Sequence, residues 1–110
     1  MDAREKVKAV VAALEDIKAE NITVLDVSQM SSIFEWMVIA SANSTRQTRA
    51  LAENVQEKLE EVGERVFGTE GMETGEWVLV DLGEVIVHVM QPAIRQYYNL
   101  EGLWSPGWKA

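Results

Sequence analysis

The sequence predicts a single α/β (α+β) domain, a mixed sheet of about five strands with helices, in the order α-β-β-α-β-β-β-α. Three observations lead there. Two stretches carry apolar residues at helical spacing, and five short runs are rich in β-branched and aromatic residues. The 110 residues also suffice for one hydrophobic core but not for two.

Val7, Val10, Val11, Leu14 and Ile17 fall on one face of a first helix over 2–19, whose other face is Lys, Glu and Asp. The runs 22–27 and 34–41 follow as two strands of a hairpin, with Ser28, Gln29, Met30, Ser31 and Ser32 as the turn. Ser44 with Gln47 forms a capping box for a second helix over 44–62, lined by Leu51, Val55, Leu59 and Val62 and stopped at Gly63. Val66 and Phe67 begin a short strand, and 77–81 and 84–90 flank Leu82-Gly83 as a second hairpin. Pro92 opens a short third helix through AIRQYYNL, and residues 105–110 read as a loose tail beyond a domain spanning 1–104.

Composition removes most familiar chemistry. Without cysteine there is no disulfide, thiol nucleophile or thiolate-bound metal, and a single histidine makes no imidazole cluster, so neither metal nor cofactor is expected. No apolar run reaches the roughly 18 residues of a membrane span, and the charged start MDAREKVKAVV is unlike a secretory signal, which points to the cytoplasm. A net charge of −8 disfavours binding to bare nucleic acid, whose affinity comes from cationic side chains releasing counterions. The excess sits in 53–76, with Glu53, Glu57, Glu60, Glu61, Glu64, Glu70, Glu73 and Glu76. Those carboxylates read either as a solvated face or as a field that steers toward a basic partner.

Phosphate-cradling loops, nucleophile elbows and zinc helices are absent, and no strand carries the D-x-D or E-x-E spacing that sets two carboxylates on one metal pair. Asp81 reads as an acceptor of backbone N–H groups in the turn, and His88 as a packed or interface histidine. No catalytic residue is expected. The alternative from another class is a residual nucleotide-binding protein that uses Asp81, Glu84 and Ser31 or Ser32 with magnesium.

The aromatic residues are more informative. Alternation on 77–81 and 84–90 sends Val78, Val80, Val85, Val87 and Val89 to the core, leaving Trp77, Leu79, Asp81, Ile86, His88 and Met90 on the less covered face. That face is either a binding patch of Trp, Met and Ile or a second small core under the third helix.

Residues 75–104 carry W-x-x-x-D-x-G-x-x-x-x-H and then R-x-x-Y-x-L-E-x-L-W, preceded by LDV (25–27), SSI (31–33), S-x-x-S-T-R-Q (41–47) and G-x-E-G (68–71). In that order and spacing the chain resembles the ribosomal silencing factor family, also called Iojap-like. One departure is Glu35, where family members commonly have aspartate.

The resemblance implies a nucleotidyltransferase-like fold without catalytic acids, and a protein that binds rather than catalyses. It implies binding to large-subunit ribosomal protein fourteen, a steric block to subunit joining, repression of translation and a role in large-subunit biogenesis. It further implies self-association as a homodimer. Carried onto this sequence, the partner-binding residues are Trp77 as anchor with Leu79, Asp81, Met90, Arg95 and Tyr98 around it, and Gly71 shaping the adjacent loop. Arg95 has the alternative of pairing with Asp81 or Glu101 within the chain. His88 is expected to orient the patch by a bond to Asp81 or backbone, and Trp104 to close the C-terminal segment onto the sheet edge.

Overall fold

In the computed structural model, which describes residues 1–104, four longer strands and a short edge strand form one mixed sheet. The elements are α1 (Ala3–Asp16), β1 (Glu20–Asp26), β2 (Trp36–Ser41), α2 (Thr45–Glu61), β3 (Gly68–Glu70), β4 (Trp77–Asp81), β5 (Val85–Met90), α3 (Pro92–Tyr98) and α4 (Leu100–Trp104). The spatial order is β1-β2-β5-β4-β3, with the central β2–β5 pair parallel and the other pairs antiparallel. Both expected hairpins are present. The tail 105–110 lies outside the described residues.

Helix α1 starts where Asp2 accepts a hydrogen bond from the Glu5 amide at 2.8 Å, satisfying an N–H that the first turn cannot. It stops at Asp16, three residues short of the sequence expectation, because Lys18 adopts a left-handed φ of 60° and turns the chain toward β1. Ser44 caps α2 by accepting from the Gln47 amide at 3.1 Å. The Gln47 side chain does not return to the cap as a capping box would have it. It donates to the Ile17 carbonyl at 3.0 Å and so ties the start of α2 to the end of α1.

Helices α1 and α2 cover one face of the sheet. Val10, Leu14, Leu51, Val55 and Leu59 meet the inward valines Val38, Val78, Val80, Val85, Val87 and Val89, all fully buried. Each such side chain contributes roughly 1.5–3 kcal/mol when removed from water, which makes this layer the main source of stability. Polar groups inside it are satisfied: Asn54 donates to the Ala13 carbonyl at 2.8 Å, and Lys6 reaches the Leu82 carbonyl at 3.1 Å and Glu84 at 2.8 Å.

Further element boundaries depart from the sequence expectation. The second strand begins at Trp36 rather than Phe34, because Asp26 and Ser31 fold the intervening turn through bonds to Ser28 and to the Ile33 and Phe34 amides. The third strand is Gly68–Glu70, with Val66 and Phe67 leading into it. The third helix ends at Tyr98, where Asn99 takes φ 47° and ψ 55°, and the chain continues as the separate helix α4. Asparagine tolerates that conformation better than most residues, so the helix expected through AIRQYYNL stops two residues early and α4 follows as a helix that the sequence reading lacks.

Candidate partner-binding face

On the sheet face away from α1 and α2, the strand register sets side chains in three ranks. Met37, Ile86, Asp81 and Gly68 form the first, Ile39, His88, Leu79 and Glu70 the second, and Ser41, Met90 and Trp77 the third. Alternation along each strand puts all of them on one side.

Helices α3 and α4 roof one end of this face. Ile94, Leu100 and Trp104 pack with Phe34, Leu25 and Trp77 on the buried Val27, Met37, Ile39 and Met90. The face is thus a small core at one end and open at the other.

Arg95 fixes the roof. Its Nε and Nη2 hold the Glu101 carboxylate at 3.0 Å each, Nη1 reaches the Asn21 carbonyl at 2.6 Å and Ser41 Oγ at 2.8 Å, and Nη2 reaches Thr23 Oγ1 at 2.9 Å. A guanidinium has five N–H donors, and all are used inside the chain. The expectation that Arg95 contacts a partner is therefore corrected: it takes the alternative, intrachain role. Met90 is corrected as well, since it is wholly buried beneath the roof and supports the face from below.

At the open end lies a groove of about 580 Å³. Its floor is Met37, Leu79, Ile86 and His88, its walls are Ile33, Phe34, Leu100 and Trp104 on one side and Phe67 with Gly68 on the other, and Asp81 and Glu70 supply its acids. Trp104 packs on Phe34 with ring centroids 5.5 Å apart, so it forms groove wall rather than closing the segment onto the sheet edge. Ile33, Phe34 and Phe67 were not singled out from the sequence. Their only signal was position, next to the turn and to the short strand that carry the recognised motifs.

Trp77 links groove and roof. Its indole N–H donates to His88 Nδ1 at 2.9 Å, so the histidine orients Trp77 and not, as expected, through Asp81 or backbone. An indole nitrogen only donates, so Nδ1 is the unprotonated nitrogen and the ring proton sits on Nε2. Burial pushes the His88 pKa down to about 4, which keeps the ring neutral at physiological pH. On its other side Trp77 packs against Tyr98 at 4.9 Å, and Tyr98 against Tyr97 at 5.0 Å. Tyr97 is 81% exposed and Tyr98 48%, so the ring series runs from the sheet to solvent.

The loop before β4 is anchored to α2, with Arg49 donating to the Met72 and Glu73 carbonyls at 2.7 Å each. Gly71, at φ +88°, lies with its main chain against the Trp77 carbonyl, where a side chain would overlap it.

Asp81, Glu84 and Ser31, named in the nucleotide-binding alternative, are each engaged by groups of the chain itself. Asp81 accepts from the Gly83 amide at 2.9 Å, Glu84 is held by Lys6, and Ser31 caps its own turn. The lysine lowers the Glu84 pKa by hydrogen bonding to its carboxylate. Among the described residues no group of three His, Asp or Glu side chains is placed to hold a metal ion, and no helix is long and apolar enough to cross a membrane.

The acidic stripe Glu53, Glu57, Glu60 and Glu61 is exposed on α2, in the layer opposite the groove. Among the described residues that line the groove, Glu70 and Asp81 are the charged ones.

Comparison with known proteins now gives the family. A family model described as "Ribosomal silencing factor during starvation" matches residues 1–109. The ribosomal silencing factor RsfS of Chromobacterium violaceum is 52% identical over 105 residues, covering 96% of this chain and 86% of that protein. A crystal structure from the same organism superposes with a TM-score of 0.93 at 49% identity, covering 100% of this chain and 94% of that one. The more distant mitochondrial assembly of ribosomal large subunit protein 1 of Mus musculus is 27% identical over 106 residues, covering 94% of this chain and 46% of that protein. By sequence and by fold, the chain belongs to the ribosomal silencing factor family.

Proposed function

We propose that this protein represses translation by binding the large ribosomal subunit through the Trp77 face, contacting large-subunit ribosomal protein fourteen, and occupying volume that the small subunit needs in order to dock. It acts in the cytoplasm by occupancy, without substrate or cofactor, and the same binding serves large-subunit assembly. The family supports the ribosomal setting, as does the name of the murine relative. The observation that carries the choice of surface is the solvent-reaching series Trp77–Tyr98–Tyr97 beside an apolar groove. Clustered aromatic anchors around a desolvated pocket are the usual composition of a binding hot spot.

The contact residues in this reading are Trp77, Leu79, Asp81 and Tyr98, with Gly71, His88, Met90, Arg95 and Trp104 holding them in place. A homodimer through the same face would compete with the ribosome for it.

Pull-down of purified large-subunit ribosomal protein fourteen tests the partner. Retention by the wild-type protein and loss with Tyr98→Ala and Leu79→Ala support the reading. Retention undiminished by either variant moves the contact to another surface.

A further inference from the structure

The groove contains a polar hydrogen that the described residues leave unused. His88 is 6% exposed, its Nδ1 is taken by the Trp77 indole, and its Nε2–H makes no hydrogen bond among the described residues. It is not sealed inside: no buried side-chain nitrogen or oxygen among the described residues lacks a partner, so Nε2 keeps access to the groove that His88 lines. The donor rises from an apolar floor of Leu79, Ile86 and Met37.

We propose that this groove receives an extended, apolar segment of the ribosomal protein partner and that His88 Nε2–H donates to a main-chain carbonyl of that segment. The inference rests on the functional reading above and specifies how the site recognises its partner.

Three features select that chemistry. The ligand atom must accept a hydrogen bond, because a neutral Nε2 carries a proton to give. It must be uncharged, because Asp81 and Glu70 line the same groove and repel a carboxylate or phosphate. Its neighbours must be apolar, because the floor and both walls are aliphatic and aromatic. A peptide carbonyl between apolar side chains meets all three requirements, and such a group must find a donor when it leaves water.

Trp77 acquires a second role in this arrangement. By holding Nδ1 as an acceptor it fixes the histidine tautomer and aims the remaining proton, so it is a positioning residue for His88 as well as a contact. The donor costs no reorganisation at binding because the free protein already presents it.

The test combines nitrogen-15 spectra of the isolated protein with large-subunit co-sedimentation. The spectra should show His88 protonated on Nε2 alone, and a protonated Nδ1 would overturn the proposal. His88→Phe keeps a ring but removes the donor, and should weaken binding to large subunits by about five- to tenfold. His88→Gln, whose amide can accept from the Trp77 indole and donate into the groove, should bind more tightly than His88→Phe. If the two bind equally weakly, the loss does not come from the missing donor, and the proposal falls. Undiminished binding by His88→Phe also overturns it, while leaving the functional reading intact. Failure of the wild-type protein to bind large subunits takes down the functional reading, and this inference with it.

Discussion

The main chain of Gly71 passes directly against the carbonyl of Trp77, at a φ of +88° that side-chain-bearing residues rarely adopt. A Cβ at this position meets both obstacles, the backbone conformation and the Trp77 carbonyl. Gly71→Ala is therefore expected to destabilise the fold by roughly 1–3 kcal/mol and to displace the start of β4. Thermal melting should record the loss, and large-subunit binding should weaken more than the melting shift alone accounts for. An alanine variant with unchanged melting and binding would show that this close approach is not needed.

Arg95 and Glu101 supply the next expectation. The guanidinium joins α3 to β1, β2 and α4 through five bonds while 11% exposed, so its removal takes those donors from the Glu101 carboxylate and from the Asn21, Thr23 and Ser41 oxygens. Arg95→Met retains stem packing, yet should cost about 2–4 kcal/mol. Hydrogen exchange should show α3 and α4 opening before the α1–α2 layer does. Protection unchanged in α3 would contradict the clamp.

The pH dependence of folding follows from His88. Its folded pKa, about 4, lies below the ordinary 6.5, so the unfolded chain binds the proton more readily. Stability should be fully present above pH 6.5, fall as pH drops toward 4, and lose nothing further from this group below that. The full effect is on the order of 3 kcal/mol. Glu84, whose pKa is lowered, adds its loss only below its ordinary 4.5, outside most of this window. Denaturant titrations from pH 7 to 4.5 should show this slope in the wild type and its absence in His88→Phe. Equal slopes in the two proteins would sink the assignment to His88.

Much of the fold was legible because the valines of β4 and β5 alternate cleanly with Trp77, Leu79, Ile86 and His88, and because α1 and α2 carry long helical periods. Strand 77–81 was placed to the residue. The break at Asn99 was not legible, since a left-handed residue between two helices leaves the apolar spacing almost undisturbed. The site was half legible. Alternation put Trp77, Leu79 and His88 on one face, but says nothing of what lies above that face. Only the tertiary structure shows that Met90 is roofed, that Arg95 is consumed inside the chain, and that Ile33, Phe34 and Phe67 wall a groove. Net charge was the least informative signal, because half of the glutamates in 53–76 lie on α2, behind the sheet, beside the cations Arg46, Arg49 and Lys58.

The central claim is that the Trp77 face keeps the two ribosomal subunits apart, and subunit joining measures it most directly. Purified small and large subunits are mixed under associating salt, with and without the protein, and resolved by sedimentation. The wild-type protein should co-migrate with free large subunits, and full ribosomes should diminish. Trp77→Ala, costing roughly 2–4 kcal/mol of binding, should restore full ribosomes while melting as a folded protein. Full ribosomes forming equally in the presence of the wild-type protein, with the protein left at the top of the gradient, would contradict the account.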